Sequence, residues 1–393
     1  MNRHELAQRL RHLVIFKNLR SDPLLSALSA VLEADKDALP GCVCDLAAEL
    51  YPRSMNLHAA IATAILQDDN FYVRDCAALR RPSVQAKAWL AQELAVLEEA
   101  VRISAEFQQP DLPAWDTDGE PFAELYNAML TDSPRLGSGI FARYHVFSVS
   151  PEGQLIPVEH PDPQRLSELY GYEAEREKLL RNTRALLHGL PANNVLLYGD
   201  AGTGKSSTVK ALVNEYKDEG LRLIQVEKSR LRHIPALLDL LSANPLKFIL
   251  FIDDLSFAAD DHDYTALKTV LEGSVTARSS NTVVYATSNR RHLIQETFQS
   301  RQGDEIHISD TLEEVSSLSA RFGIVITFGR PNKDLYLSVV EKLVEKAGIL
   351  ADEETLFKEA EAYALRAGGR SPRVARQYVE YKIAMSDNTS CAK

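Results

Sequence analysis

The feature that most constrains this chain is the stretch Asn193 to Lys210, NNVLLYGDAGTGKSSTVK. The apolar run Val195 to Tyr198 reads as a buried strand and Ser206 to Tyr216 as a helix. The turn between them fits G-x-x-x-x-G-K-[ST] with Gly199, Gly204, Lys205 and Ser206. Glycines at 199, 202 and 204 let the backbone bend so that successive N–H groups face an anion. The helix opening at Lys205 aims its positive end at the same point. Gly199, Asp200, Ala201, Gly202, Thr203, Gly204, Lys205, Ser206 and Ser207 therefore form the expected phosphate cradle. In it Lys205 can neutralise charge between β- and γ-phosphates, and the Ser206 hydroxyl is placed to ligate magnesium. An ordinary glycine turn is the alternative, and the complete motif between strand and helix argues against it. A nucleoside triphosphate site is implied.

The surrounding chain is 393 residues long, which suggests about two to three domains. Its net charge of -11 argues against a protein that coats nucleic acid by bulk electrostatics. Cys42 and Cys44 lack the second pair, or the histidines, that a zinc site needs, so ordinary thiols in a reducing compartment are expected. Met1 to Arg20 carries charges throughout and no small-residue cleavage site, and apolar runs fall short of the ~20 residues of a membrane span. A cytoplasmic location without membrane contact is the expectation.

Residues 1–108 read as a helical domain of interaction or assembly. Leu6, Leu10, Leu13 and Val14 recur at helical spacing, Ser21-Asp22-Pro23 starts a helix, and Ser83 to Phe107 carries a stripe of Leu90, Leu94, Leu97 and Val101. Proline, glycine and aspartate then dominate, so residues 109–165 read as a linker holding a short helix near Phe122 to Leu130. A β-hairpin from Phe141 to Val158 completes that linker, with the domain boundary near residue 160. Residues 166–330 alternate helix and strand, which predicts a parallel sheet covered on both faces. Its predicted elements include a helix over Arg230 to Leu240 interrupted by Pro235, and another over Tyr264 to Val275. Residues 331–393 read as a small helical subdomain.

Four further segments carry chemistry. FILFIDDLSF delivers Asp253 and Asp254 at a strand end, the Walker B arrangement. Asp253 can hold magnesium and Asp254 can orient or deprotonate a water; carboxylates capping the next helix are the alternative. The acidic run Asp260, Asp261 and Asp263 reads as a solvated helix start. VVYATSNRR places the Asn289 amide beside a strand end, where it can reach a γ-phosphate or water, although such an asparagine is often a turn residue. The adjacent Arg290-Arg291 pair reads as an exposed turn. LSARFG sets Arg321 before the fifth strand, as a transition-state cation or as a surface salt bridge. Of Arg370, Arg373 and Arg376 in GGRSPRVARQ, Arg373 is chosen to turn toward phosphate.

The order Walker A, Walker B, ATSN, LSxRFG and S-P-R resembles the AAA+ ATPase superfamily. The wording is closer still to one uncharacterised bacterial AAA+ family, through GYEAEREKLLRNT, GLPANNVLLYGDAGTGKSS, FILFIDDLSF, YATSNRRHL, SLSARFG and GRSPRVARQ. The likeness runs from about Leu166 to Lys382. It implies an α/β P-loop sheet flanked by helices with a helical lid, ATP with Mg2+, and hydrolysis to ADP and phosphate. It also implies assembly into a ring or open spiral, often hexameric. The complete set of hydrolytic parts suggests an ATPase motor or remodeller acting on an unknown protein client. Asn289 would be sensor 1, Arg321 the arginine finger and Arg373 the sensor 2 arginine, with Tyr170 to Glu173 near the adenine. Two departures stand out. Asp254 replaces the usual glutamate, so slow rather than absent hydrolysis is expected, and Ala320 replaces an acidic residue before the finger. A slowly hydrolysing ATP switch or scaffold and a DNA-associated loader are the alternatives. The second lacks a helix-turn-helix, zinc finger or aromatic-basic groove.

Overall fold

The computed structural model describes residues 2–108, 110–242, 244–258, 267, 271, 280–289, 294–295, 321–349 and 352–390. The predicted helix over 264–275 lies mostly outside them, and the acidic run at 260–263, the arginine pair at 290–291 and Ala320 lie wholly outside.

The chain divides into Met1–Tyr144 with Asn244–Leu246, and His145–Ala243 with Lys247–Lys393. The first unit is helical: α1 (Arg3–Arg11), α2 (Pro23–Glu33), α3 (Leu39–Leu50), α4 (Leu57–Gln67), α5 (Phe71–Ala77), α6 (Val84–Ser104), α7 (Phe122–Leu136) and α8 (Ile140–Arg143). Local chemistry sets the helix starts. Asp22 accepts from the Leu24 N–H with Pro23 in the first turn of α2, and Asn56, Asn70 and Ser83 cap α4, α5 and α6 in the same way. The expected stripe on α6 is buried, as are Leu6, Leu10 and Leu13, whereas Val14 is exposed because α1 has ended at Arg11. The Val14, Ile15 and Phe16 N–H groups donate instead to the Glu93 carboxylate at 2.6–3.2 Å.

The boundary near residue 160 is not where the chain divides. Trp115, Phe122 and Tyr126 are buried in the helical core, so most of the supposed linker is part of that unit. The Trp115 indole N–H donates to Ser104 at 3.1 Å, and the Tyr126 hydroxyl accepts from Asn70 at 3.1 Å. Aromatic anchors of this size outweigh the proline and glycine content around them.

The hairpin also stands elsewhere than expected. Phe141 lies in the short helix α8, and β1 (Val146–Val149) and β2 (Leu155–Pro157) are strands of the second unit's main sheet. β1 pairs antiparallel with β2 and parallel with β4 (Leu221–Gln225), which hides its Phe147 completely. The remaining strands are β3 (Val195–Gly199), β5 (Lys247–Ile252), β7 (Thr282–Ser288) and β9 (Ile324–Phe328), in the order β2-β1-β4-β5-β7-β3-β9. Every pairing except β1 with β2 is parallel. A separate two-residue pair joins β6 (Phe257–Ala258) to β8 (Ile294–Gln295). On one face, Leu197, Leu223, Phe251 and Tyr285 pack with α9 (Glu173–Leu187) and α10 (Lys205–Tyr216). Strand residues of opposite parity, such as Leu196, Leu250 and Val284, are buried too, and α11 (Ile234–Ser242) lies against β7. Pro235 does not interrupt that helix. A 3₁₀ turn over Lys228–His233 precedes α11 and leaves the proline in its first turn, where the missing N–H costs nothing.

A polar staple fixes β3 among its neighbours. Asn182 of α9 donates to the Asn193 carbonyl and the Tyr285 hydroxyl and accepts from the Asn193 N–H, and Thr183 meets the same hydroxyl at 2.9 Å. After the sheet, α12 (Lys333–Ala347), α13 (Glu353–Arg366) and α14 (Pro372–Ser390) share a core of Tyr336, Val340, Ala360 and Tyr378.

Candidate functional site

The glycine-rich turn follows the carboxyl end of β3, as the sequence predicts. Gly199 has φ +143, and a Cβ there would stand 1.9 Å from the Phe328 carbonyl oxygen. Only glycine lets β9 run this close. Gly202 has φ +78, and a Cβ would press on Ser371 and Arg373 at the start of α14. The Arg373 N–H donates to the Gly202 carbonyl at 3.2 Å, bringing the lid onto the turn.

Lys205 opens α10 and is buried, 5 % exposed. Its ammonium donates to the carbonyls of Gly199 and Asp200 at 2.8 Å and to the Asn289 side-chain oxygen at 3.0 Å. Burial lowers its pKa, opposed by the charges of Asp200, Asp254 and Asp253, with Arg373 adding to the lowering. Ser206 donates to Asp253 Oδ1 at 2.5 Å, and Thr287 donates to the same oxygen at 2.6 Å. Asn289 Nδ2 donates to Asp254 Oδ1 at 2.8 Å. One amide therefore links the lysine of the turn to the second carboxylate of β5.

These groups line a cavity of about 380 Å³ with Leu169, Ala201, Ser207, Pro372, Arg373 and Arg376. A smaller cleft lined by Leu169, Tyr170, Arg176, Val339 and Leu343 meets the same turn at Thr203 and Gly204. The lid thus supplies Pro372, Arg373 and Arg376 to the larger cavity and Val339 and Leu343 to the smaller cleft.

The expected residues do not all come together. Lys205, Ser206, Asp253, Asp254, Asn289 and Arg373 line the cavity. Arg370 makes a two-pronged ion pair with Glu361 at 2.8 and 2.7 Å, while Arg376 joins Arg373 in the cavity lining. Arg321 precedes β9, whose Ile324 aligns with Val195 and Phe328 with Gly199. It therefore lies at the amino edge of the sheet, whereas the turn follows the carboxyl edge, about 15–20 Å away at ~3.3 Å per residue. Thr287 escaped the sequence reading although it lies inside ATSN. Its signal was positional, a hydroxyl two residues before Asn289 at a buried strand end.

A divalent cation fits this donor set. The Ser206 hydroxyl and Asp253 carboxylate are hard oxygen ligands close to the cradle, as Mg2+ requires. Among the described residues no group of three or more His, Cys, Asp or Glu side chains could hold a metal, so such a cation would rely on water and phosphate oxygens.

In this sheet β7 intervenes between β3, which carries the glycine-rich turn, and β5, which carries the two carboxylates. That extra strand, with a helical lid after β9, defines the AAA+ class of P-loop nucleotide-binding folds. The chain belongs to the family described as "Protein of unknown function (DUF815)", whose pattern matches residues 142–386.

The fold is similar to that of a Thermotoga maritima RuvB mutant, with 18% identity, 58% of this chain and 67% of that chain covered, and a TM-score of 0.40. For the T. maritima RuvB Holliday junction branch migration motor the values are 18%, 56%, 63% and 0.38. For the FIGL-1 AAA domain in complex with ADP they are 17%, 56%, 73% and 0.39. The chain thus spans about two thirds of the length of the RuvB chains it matches. No curated protein matches it. No helix among the described residues is long and apolar enough to cross a membrane.

Proposed function

We propose that this chain binds ATP with Mg2+ between sheet and lid and hydrolyses it, using the movement of lid against sheet to remodel a partner protein. The observation that carries this reading is the connected set Ser206–Asp253 and Lys205–Asn289–Asp254 around one cavity. A phosphate cradle alone serves binding; carboxylates held beside it serve hydrolysis.

Backbone N–H groups of residues 200–206 and the Lys205 ammonium would take the polyphosphate, and Ser206 and Asp253 would hold the metal. Bound Mg2+ supplies charge neutralisation at the β- and γ-phosphoryl oxygens. Asp254, oriented by Asn289, would accept a proton from the attacking water. Arg373 would report γ-phosphate to the lid. Arg321, at the far edge of its own sheet, would serve the cavity of an adjoining subunit in a homo-oligomer, where it stabilises transition-state charge.

Asp254 favours a second reading, an ATP-held assembly scaffold with slow turnover, because aspartate places its carboxylate one methylene short of a glutamate. Equilibrium ATP binding and steady-state phosphate release separate the readings. Lys205→Ala is expected to lose ATP binding. Asp254→Asn is expected to keep binding and lose turnover. Wild-type release indistinguishable from that of Asp254→Asn would select the scaffold.

A further inference from the structure

Thr287 and the backbone of Asp254 form a unit whose role goes beyond the residues assigned above. Thr287 is 1 % exposed at the end of β7. Its hydroxyl donates to Asp253 Oδ1 at 2.6 Å and accepts from the Asp254 N–H at 2.9 Å, so one oxygen serves both carboxylate residues. Its carbonyl accepts from the Leu255 N–H at 2.7 Å, which anchors the chain just beyond them. Between these anchors Asp254 has φ +52. Left-handed backbone is adopted mainly by glycine, asparagine and aspartate, and seldom by residues with longer side chains.

We propose that Thr287 is a positioning residue that sets the first carboxylate toward metal and holds the second residue left-handed, and that this backbone is why an aspartate stands at position 254. The proposal rests on the nucleotide-site reading above. Valine keeps the β-branched shape and loses both hydrogen bonds; serine keeps both hydrogen bonds and loses only the methyl group.

The test uses the full chain with Thr287→Val, Thr287→Ala, Thr287→Ser and Asp254→Glu, each checked for folding by thermal melting. ATP affinity is measured with Mg2+ and with EDTA, and kcat and KM are measured separately. The hydroxyl-free variants should lose about 10–100-fold of the Mg2+-dependent gain in affinity and of kcat, with affinity in EDTA unchanged. Thr287→Ser should rescue both, and Asp254→Glu should not raise kcat. A Thr287→Val chain that keeps the Mg2+ gain overturns the proposal, as does a serine variant impaired as much as valine. An Asp254→Glu chain faster than wild type overturns the backbone argument. A wild type that binds Mg·ATP without turnover overturns hydrolysis alone, and the metal titration still decides Thr287. A wild type that binds no nucleotide overturns both.

Discussion

Lys205 is a cation held in a buried place by carbonyls and an amide, with three acidic groups as its charge partners. Burial puts its folded pKa below the ordinary lysine value near 10.5. The charged form therefore costs stability below the folded pKa, and that cost is relieved as pH rises from the folded pKa toward 10.5. A polyphosphate favours the charged form, so binding takes up a proton above the folded pKa. ATP affinity should thus begin to fall at a pH below the usual lysine range, as calorimetric titrations from neutral to alkaline pH will read. Gly199 makes a second prediction at this scale. A methyl group at position 199 would meet backbone rather than a movable side chain. Gly199→Ala should cost about 1–3 kcal/mol through strain alone, measured by chemical denaturation.

At the scale of elements, two polar side chains hold segments together where apolar contact would leave register free. Glu93 of α6 accepts from three successive backbone N–H groups just after α1. Glutamine at this position would turn an NH2 group toward N–H donors. Glu93→Gln should therefore destabilise the helical unit by about 1–3 kcal/mol, seen as a lowered denaturant midpoint. Asn182 does the same work for α9, β3 and β7, the strands that deliver the cradle and Asn289. Asn182→Ala should lower stability by a comparable ~1–3 kcal/mol and weaken ATP affinity with it, because β3 and β7 lose their common partner. Neither device has a sequence signature. A buried glutamate within a leucine stripe and an asparagine within a charged helix look like surface residues until their partners are in place. The hairpin is similar. β1 and β2 are legible as strands, but pairing of β1 with β4 is a backbone contact between segments about seventy residues apart, and side-chain patterning does not encode it.

At the scale of the whole molecule, the proposed reading gives Arg321, at the amino edge of its own sheet, to the site of an adjoining subunit. If the arginine acts across a subunit boundary, Arg321→Ala should retain ATP binding and lose about 10³-fold or more in turnover. Mixing equal amounts of Arg321→Ala and Asp254→Asn chains, each inactive alone, should restore activity at about a quarter of the sites of a closed ring. Phosphate release from the mixture checks this; no recovery would rule out action of the arginine across a subunit boundary.

The strand, glycine-rich turn and helix around residues 199–207, the acidic pair after β5 and the alternation of helix and strand were legible because a tight turn and strand burial demand specific residues at contiguous positions. The neighbours of those residues were not. Arg373 and Arg376 face the cavity while Arg370 pairs with Glu361, although the three lie within seven residues on one segment. Arg370 lies before α14 and pairs back to α13, whereas Arg373 and Arg376 stand in the opening turns of α14 beside the cavity. Thr287 gains its two partners only when β5 and β7 lie side by side, and the left-handed turn at Asp254 follows from that pairing. Contiguous chemistry can be read along a chain; direction, burial and reach exist only after distant segments have packed.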